Sequence, residues 1–425
     1  MQTFIDGINY ILALGPTVIL PITMLFVGLI FGTGFKTAFK SGITIGIGFV
    51  GINLVIGLLT DNLGTAAQAM VERFGLSLNV IDAGWPAAAA ASWAMPISVL
   101  LIPILLVVNL LMIVFKMTKT LNVDIWNYWH FIAAGATGYI VTGGSVWFAI
   151  LCAVLYEVAV LIIADKTQPL AENFFGLEGI SLPTGSTAAF ALLGIPIGKV
   201  VGMIPGIKNL NADPESIQKR FGIFGEPMMV GLILGTFIGL LAGYDVGAAF
   251  QVGIAMGAVM LLMPRMVKLL MEGLIPISEA AREFMKKRFP GRDLYIGLDA
   301  ALAVGHPAVM STALLLTPIT LLIAVLLPGN RVLPFGDLAT ITFYVAFIVA
   351  SRKGNIVQSV ITTSIILVFS LWMATDFAEV HTAMMANADF TAPGNVTEIS
   401  SLDMGGNFLN WAILKFSQFY QSIVG

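Results

Sequence analysis

Charge is scarce in this chain. Asp, Glu, Lys and Arg make up 11% of its 425 residues, whereas soluble domains carry about 25%. With 58% hydrophobic residues and a mean hydropathy of +0.93, a water-soluble protein is excluded, because one core cannot bury that much apolar surface. Cysteine is nearly absent, and the lone Cys152 makes neither an internal disulfide nor a cysteine metal cluster. Met1–Tyr10 lacks a basic stretch followed by a small-residue cleavage site, so insertion by the first spanning helix is expected. No Walker motif is present, which removes ATP hydrolysis, and the HExxH and GxSxG hydrolase motifs are missing too. The net charge of −3 says little about partners, and no nucleic-acid partner is expected. No metal or cofactor is expected.

What is present is a series of apolar runs. About 20 apolar residues cross a bilayer as a helix. Windows of this kind fall near 14–34, 41–60, 95–115, 131–143, 145–164, 226–243, 246–264, 313–328, 338–350, 356–375 and 407–424. The expected fold is an all-α polytopic membrane protein with about eleven transmembrane helices. With the N-terminus outside, eighteen of the 21 Lys and Arg fall inside and only Arg73 and Arg331 outside, as the positive-inside rule requires. The stretch from Asp376 to Asp403 is acidic, lacks Lys and Arg, and fits an outside loop. Eleven crossings put the C-terminus in the cytoplasm. RMVKLLMEGLIPISEAAREFMKKRF, Arg265–Phe289, reads as an amphipathic helix in the inner interface or as an ordinary solvated helix.

The chain also repeats itself. Shifted by 211 positions, Pro16 falls on Pro227, Phe26 on Phe237, Gly28 on Gly239, Ala38-Phe39 on Ala249-Phe250 and Gly42 on Gly253. Asp124 falls on Asp337 at a shift of 213. Five spans per copy would insert the second copy upside down, the build of many secondary transporters. The breakers in Gly84-Trp85-Pro86-Ala87 are echoed by Gly305-His306-Pro307-Ala308. We expect these to be repeat mates: re-entrant hairpins entering from opposite faces, with tips meeting around a polar cavity.

The polar residues at these places are the candidate ligand contacts. Asp82 and Asp299 precede the breakers and serve either as hydroxyl acceptors or as helix caps. Trp85 offers a face to the C–H side of a polyol or anchors an interface. His306 bonds hydroxyls or is a satisfied buried histidine. In NVDIWNYWHF, Asn127 and His130 share a helical face, and the aromatics there also suit an interfacial belt. Glu178 opens EGISLPTGSTAAF, a cavity-lining turn or a cytoplasmic loop. Glu157 lies within a span and is either functional or structurally hydrogen-bonded. Gly46-Ile47-Gly48 lies in a span without βαβ context and reads as a packing face.

NVDIWNYWH, FFGLEGI, FGEPMMVGLILGTFIGLLAGYDV, AVMLLMPR, LYIGLDAAL and VLPFGDLATI resemble the membrane (IIC) component of the galactitol phosphotransferase system, in the ascorbate–galactitol superfamily. The resemblance runs from about residue 8 to residue 411. It implies a homodimer with an interface (V-motif) domain and a substrate-carrying core domain that moves as an elevator. It places interface parts at 10–75 and 226–290, core parts at 76–175 and 291–376, a connector at 176–225, an outer loop at 377–404 and a terminal span at 405–425. Its partners would be the polyol, the IIB and IIA proteins and the lipid of a bacterial inner membrane. Phosphate, ultimately from phosphoenolpyruvate, would come from a IIB phosphocysteine, and Cys152 does not match such a site. The permease would not itself be an enzyme. The alternative is an ion-coupled secondary transporter, for which repeats and hairpins are equally suited.

Overall fold

The structure is a computed structural model that describes residues 16–74, 78–122, 124–210, 222–288, 294–388 and 398–424. Helices dominate. They are α1 (Pro16–Ile30), α2 (Phe35–Leu59), α3 (Thr65–Phe74), α4 (Trp85–Ala94), α5 (Ser98–Val114), α6 (Tyr128–Val141), α7 (Val146–Phe175) and α8 (Gly185–Val201). The second half has α9 (Pro227–Leu241), α10 (Val246–Arg288), α11 (Ala301–Val304), α12 (Pro307–Leu326), α13 (Ile341–Ser351), α14 (Ile356–Ala386) and α15 (Phe408–Val424). All eleven apolar windows fall on helices of this set. Among the described residues, α2, α7, α10, α12 and α14 contain stretches long and apolar enough to cross a membrane. The pair α4 and α5, bent by 98°, adds a sixth if counted as one broken span.

The surface is apolar and the interior is partly polar, the reverse of a soluble protein. Leu54, Phe237 and Leu322 are exposed, while Asp82, Asn127, Glu157, Asp337 and His381 are fully buried. Helices α1, α2, α9 and α10 pack against one another. Small residues let them approach closely. A Cβ on Gly48 would lie 2.7 Å from the Leu270 backbone, so the glycine-rich face of α2 is a packing face. Helices α1 and α9 start 211 positions apart, as do α2 and α10. The basic segment after Met263 is not a separate amphipathic helix. It continues α10, which runs unbroken through Pro264 and Pro276 to Arg288.

Among the described residues, six short strands lie between the helices: β1 (Val80–Asp82), β2 (Thr120–Asn122), β3 (Ile180–Ser181), β4 (Tyr295–Gly297), β5 (Val332–Leu333) and β6 (Glu398–Ser400). They form two three-stranded sheets. Strand β1 lies between β5 and β6, and β4 lies between β2 and β3, with every pairing parallel. Valine and isoleucine recur in them, and pairing satisfies backbone groups that the interior would otherwise strand.

Three expectations change. The GWPA and GHPA segments are not equivalent: Trp85 opens the helix that follows β1, whereas His306 sits in the break between α11 and α12. What they share is proline in the first turn of a helix, where its missing N–H costs nothing. The position after β4 that matches Trp85 is the start of α11. Second, α15 ends against the start of α7. Tyr420 packs on Phe148, with ring centroids 4.3 Å apart, and on Trp147 at 5.5 Å. Its C-terminal end therefore lies beside the turn at 142–145, which the sequence placed on the opposite face. Third, the 176–225 connector carries β3 and α8; its residues 211–221 lie outside the described residues. So does Asp389–Thr397 of the expected outer loop.

Candidate functional site

The carboxyl ends of all six strands lead to one cavity. Trp85 follows β1; Trp126, Trp129 and His130 follow β2; Thr184 and Ser186 follow β3. Asp299 follows β4, Thr340 and Phe343 follow β5, and Asp403 follows β6. After each strand the chain turns and starts a helix: α4, α6, α8, α11, α13 or α15. The N-terminal ends of helices carry partial positive charge and free N–H donors, so carboxylates are tolerated here.

Asp82 and Asp299 each turn the chain in the same way. Gly84 N donates to Asp82 Oδ1 at 3.1 Å, and Ala301 N donates to Asp299 Oδ1 at 3.0 Å. Each acid thus bonds the backbone two residues on, a turn that aspartate forms readily. Asp82 also accepts from Phe335 N (3.1 Å) and Asp337 N (2.8 Å). That carboxylate is occupied by backbone and lies outside the cavity lining. Gly84, with φ +83°, lets this tip touch the loop after β5: a Cβ there would lie 2.8 Å from the Gly336 carbonyl carbon.

The polar wall is a linked network. Ser186 Oγ donates to Asp403 Oδ2 at 2.8 Å, and Ser186 N donates to His130 Nε2 at 3.1 Å. Because Nε2 accepts, the imidazole proton is assigned to Nδ1. Nδ1 of His130 and Oδ1 of Asp403 are buried and have no hydrogen-bond partner among the described residues. One is a free donor and the other a free acceptor. Thr184 Oγ1 lies 2.9 Å from Asn127 Oδ1 and 3.3 Å from Asp299 Oδ1, and it accepts from Ala300 N at 2.8 Å. The remaining wall is aromatic. Trp85 meets Trp126 edge-on at 5.8 Å, and Phe343 lies 6.5 Å from Trp85. The cavity has room for about 20 Å³, enough for a water molecule. A six-carbon polyol needs its walls to part.

Of the sequence candidates, Trp85, His130 and Asp299 line the cavity together, and Asn127 stands behind Thr184. Asp82 braces the first tip. Glu178 is exposed in the turn before β3. His306 caps α12 by accepting from Ala308 N and packs on Phe174 at 4.5 Å, away from the cavity. Glu157 is fully buried in α7, and neither carboxylate oxygen has a partner among the described residues. Sequence reasoning missed Asp403, Thr184, Ser186, Thr340, Phe343 and Trp129. One usable signal was the shared Ile-Ser pair of EGISLPTG and TEISSLDMGG, which leads into Thr184 and Asp403 alike.

Residues 10–395 match the profile of the PTS system sugar-specific permease component, EIIC-GAT. The chain belongs to that family. It is 44% identical over 413 residues to the galactitol-specific EIIC component of Escherichia coli K12, covering 97% of this chain and 91% of the relative. The same figures hold for the galactitol-specific EIIC component of E. coli O157:H7. It is 40% identical over 405 residues to a putative permease IIC component of E. coli K12, covering 95% and 92%. The chain is thus a galactitol-type EIIC-GAT permease component, a multi-pass membrane protein of sugar transport.

Proposed function

We propose that this EIIC-GAT protein carries galactitol or a similar polyol across the bacterial inner membrane and presents it to a IIB partner, itself recharged by IIA, for phosphorylation. The observation that carries this reading is a cavity that joins His130, Asp299 and Asp403 to aromatic walls, with an unpartnered nitrogen on His130 and an unpartnered oxygen on Asp403 among the described residues. A hydroxyl gives one hydrogen bond and takes others, so the hydroxyls of a polyol suit a donor and an acceptor alike. Aromatic faces at Trp85, Trp126 and Phe343 suit the C–H side of the carbon chain. Relatives named galactitol-specific support this substrate class.

In this reading the chain is an inverted repeat whose halves exchange strands, β1 to β3 coming from the first copy and β4 to β6 from the second, with each sheet drawing on both; the helix starts that coincide at a shift of 211 support it. Helices α1, α2, α9 and α10 form a fixed interface domain, within 10–75 and 226–290, at the centre of a homodimer. The body built on 76–175 and 291–376, with α8 and α15, carries the cavity past it as an elevator. The N-terminus is outside, and the C-terminal end of α15 is outside too, since it sits beside the 142–145 turn. The permease supplies no phosphoryl chemistry of its own.

Membrane vesicles test the reading. With phosphoenolpyruvate and the matching IIA and IIB proteins, galactitol should accumulate as its phosphate. Without them, a sodium or proton gradient should drive no uptake. Accumulation of free polyol on a gradient alone would establish the ion-coupled alternative.

A further inference from the structure

Asp337 is fully buried, follows β5, and is bonded by four donors. Trp85 N donates to its Oδ1 at 2.7 Å, and Thr340 Oγ1 to the same oxygen at 3.0 Å. Ser401 Oγ donates to its Oδ2 at 2.7 Å and Asp403 N at 2.9 Å. Three of the four donors belong to cavity residues, drawn from the segments after β1, β5 and β6. Asp337 is itself held by Asp82, which accepts from its N–H. In the other sheet Asp124 stands 213 positions earlier and does the same on a smaller scale. It accepts from Trp126 N and Asp299 N, both at 3.1 Å.

We infer that Asp337 and Asp124 are positioning residues for the polyol site: each sets the separation of cavity walls that come from different strands, and neither touches the polyol. This rests on the cavity being the polyol site. Asp337 holds Trp85 and Asp403 in one register, so an aromatic face and the free acceptor are presented together. Asp124 does so for Trp126 and Asp299. A carboxylate is required at 337 because all four partners are donors. An amide turns an N–H2 group toward two of them, which leaves both donors without an acceptor. The consequence falls on selectivity. Hexitols differ only in which hydroxyl points where, so discrimination depends on the fixed distance between acceptor and aromatic wall.

The test is Asp337→Asn in the purified full-length protein, reading galactitol affinity and the ratio of affinities for galactitol and D-glucitol. Galactitol should bind about tenfold more weakly, and the ratio should move toward one. The ratio is independent of the folded fraction, so a merely structural role would leave it unchanged. If Asp337→Asn does not fold, Asp124→Asn and Ser401→Ala should move the ratio in the same direction by less. Trp85→Ala and Asp403→Asn report on the site itself. If both leave galactitol affinity intact, the site assignment is wrong and this inference goes with it. If both weaken binding while Asp337→Asn, or both substitutes, leave affinity and ratio unchanged, the positioning role alone is overturned.

Discussion

The buried aspartates around the cavity differ in job according to which of their oxygens is already bonded. Asp82 and Asp337 spend their oxygens on protein donors. Asp403 keeps Oδ1 free, and Asp299 lines the cavity. Removing an acceptor from a site built for hydroxyls leaves the ligand's donor unpaired. Asp403→Asn and Asp299→Asn should therefore each weaken galactitol binding by about 1–3 kcal/mol, roughly 5- to 150-fold, as read by calorimetry. Asp82→Asn removes an acceptor from buried backbone donors instead. It should lower the melting midpoint of the empty protein more than Asp403→Asn does. Glu178 is exposed, and Glu178→Gln should change stability by less than about 0.5 kcal/mol and leave binding as it was.

At the scale of elements, helices were legible in the sequence and strands were not. Twenty apolar residues make a signal that composition alone carries, so every expected window found a helix. Strands such as Val332–Leu333 have no periodicity to read. Their partners lie far off in sequence, as in the pairing of Ile81 with Ile399. Asp403 was hidden for that reason: without β6 its neighbourhood reads as an acidic outer loop. Glu178 stood out in EGISLPTG as the one charged residue, but the turn faces it outward and brings Thr184 and Ser186 inward. Helix α8 supplies a direct check. A Cβ at Gly185 would come 2.4 Å from His130 Cγ, so the start of α8 presses on the imidazole. Gly185→Ala should push His130 off Ser186 and abolish measurable galactitol binding. Gly206→Ala, where a Cβ meets nothing within 4 Å, lies outside the cavity and should leave binding unchanged although φ +93° strains it.

At the scale of the whole molecule, charge bias and packing agree on one face and part on the other. Arg352 donates to Gly198 O and Asn355 to Leu210 O, which brings together two segments that the positive-inside rule places in the cytoplasm. The C-terminal helix gives that rule little to act on, since Lys415 is its one basic residue, paired with Asp376 at 2.6 Å. Cysteines at Ser145, Lys353 and Ser422 test the arrangement with an impermeant maleimide on intact cells. Positions 145 and 422 should label directly, and 353 only after the membrane is opened. Labelling of 422 together with 353 would restore a full eleventh crossing.

The central claim is that a neutral polyol binds between the two sheets, against Asp299 and Asp403. A phosphorylated polyol brings an anion to two carboxylates and is repelled, which favours its release after phosphorylation. Equilibrium binding of galactitol and of galactitol phosphate to the purified permease tests this most directly. The account expects the free polyol to bind at least about tenfold more tightly than its phosphate, a gap of about 1.4 kcal/mol. It also expects that gap to narrow in Asp403→Asn. Equal affinity for the two ligands in the unmodified protein would contradict it.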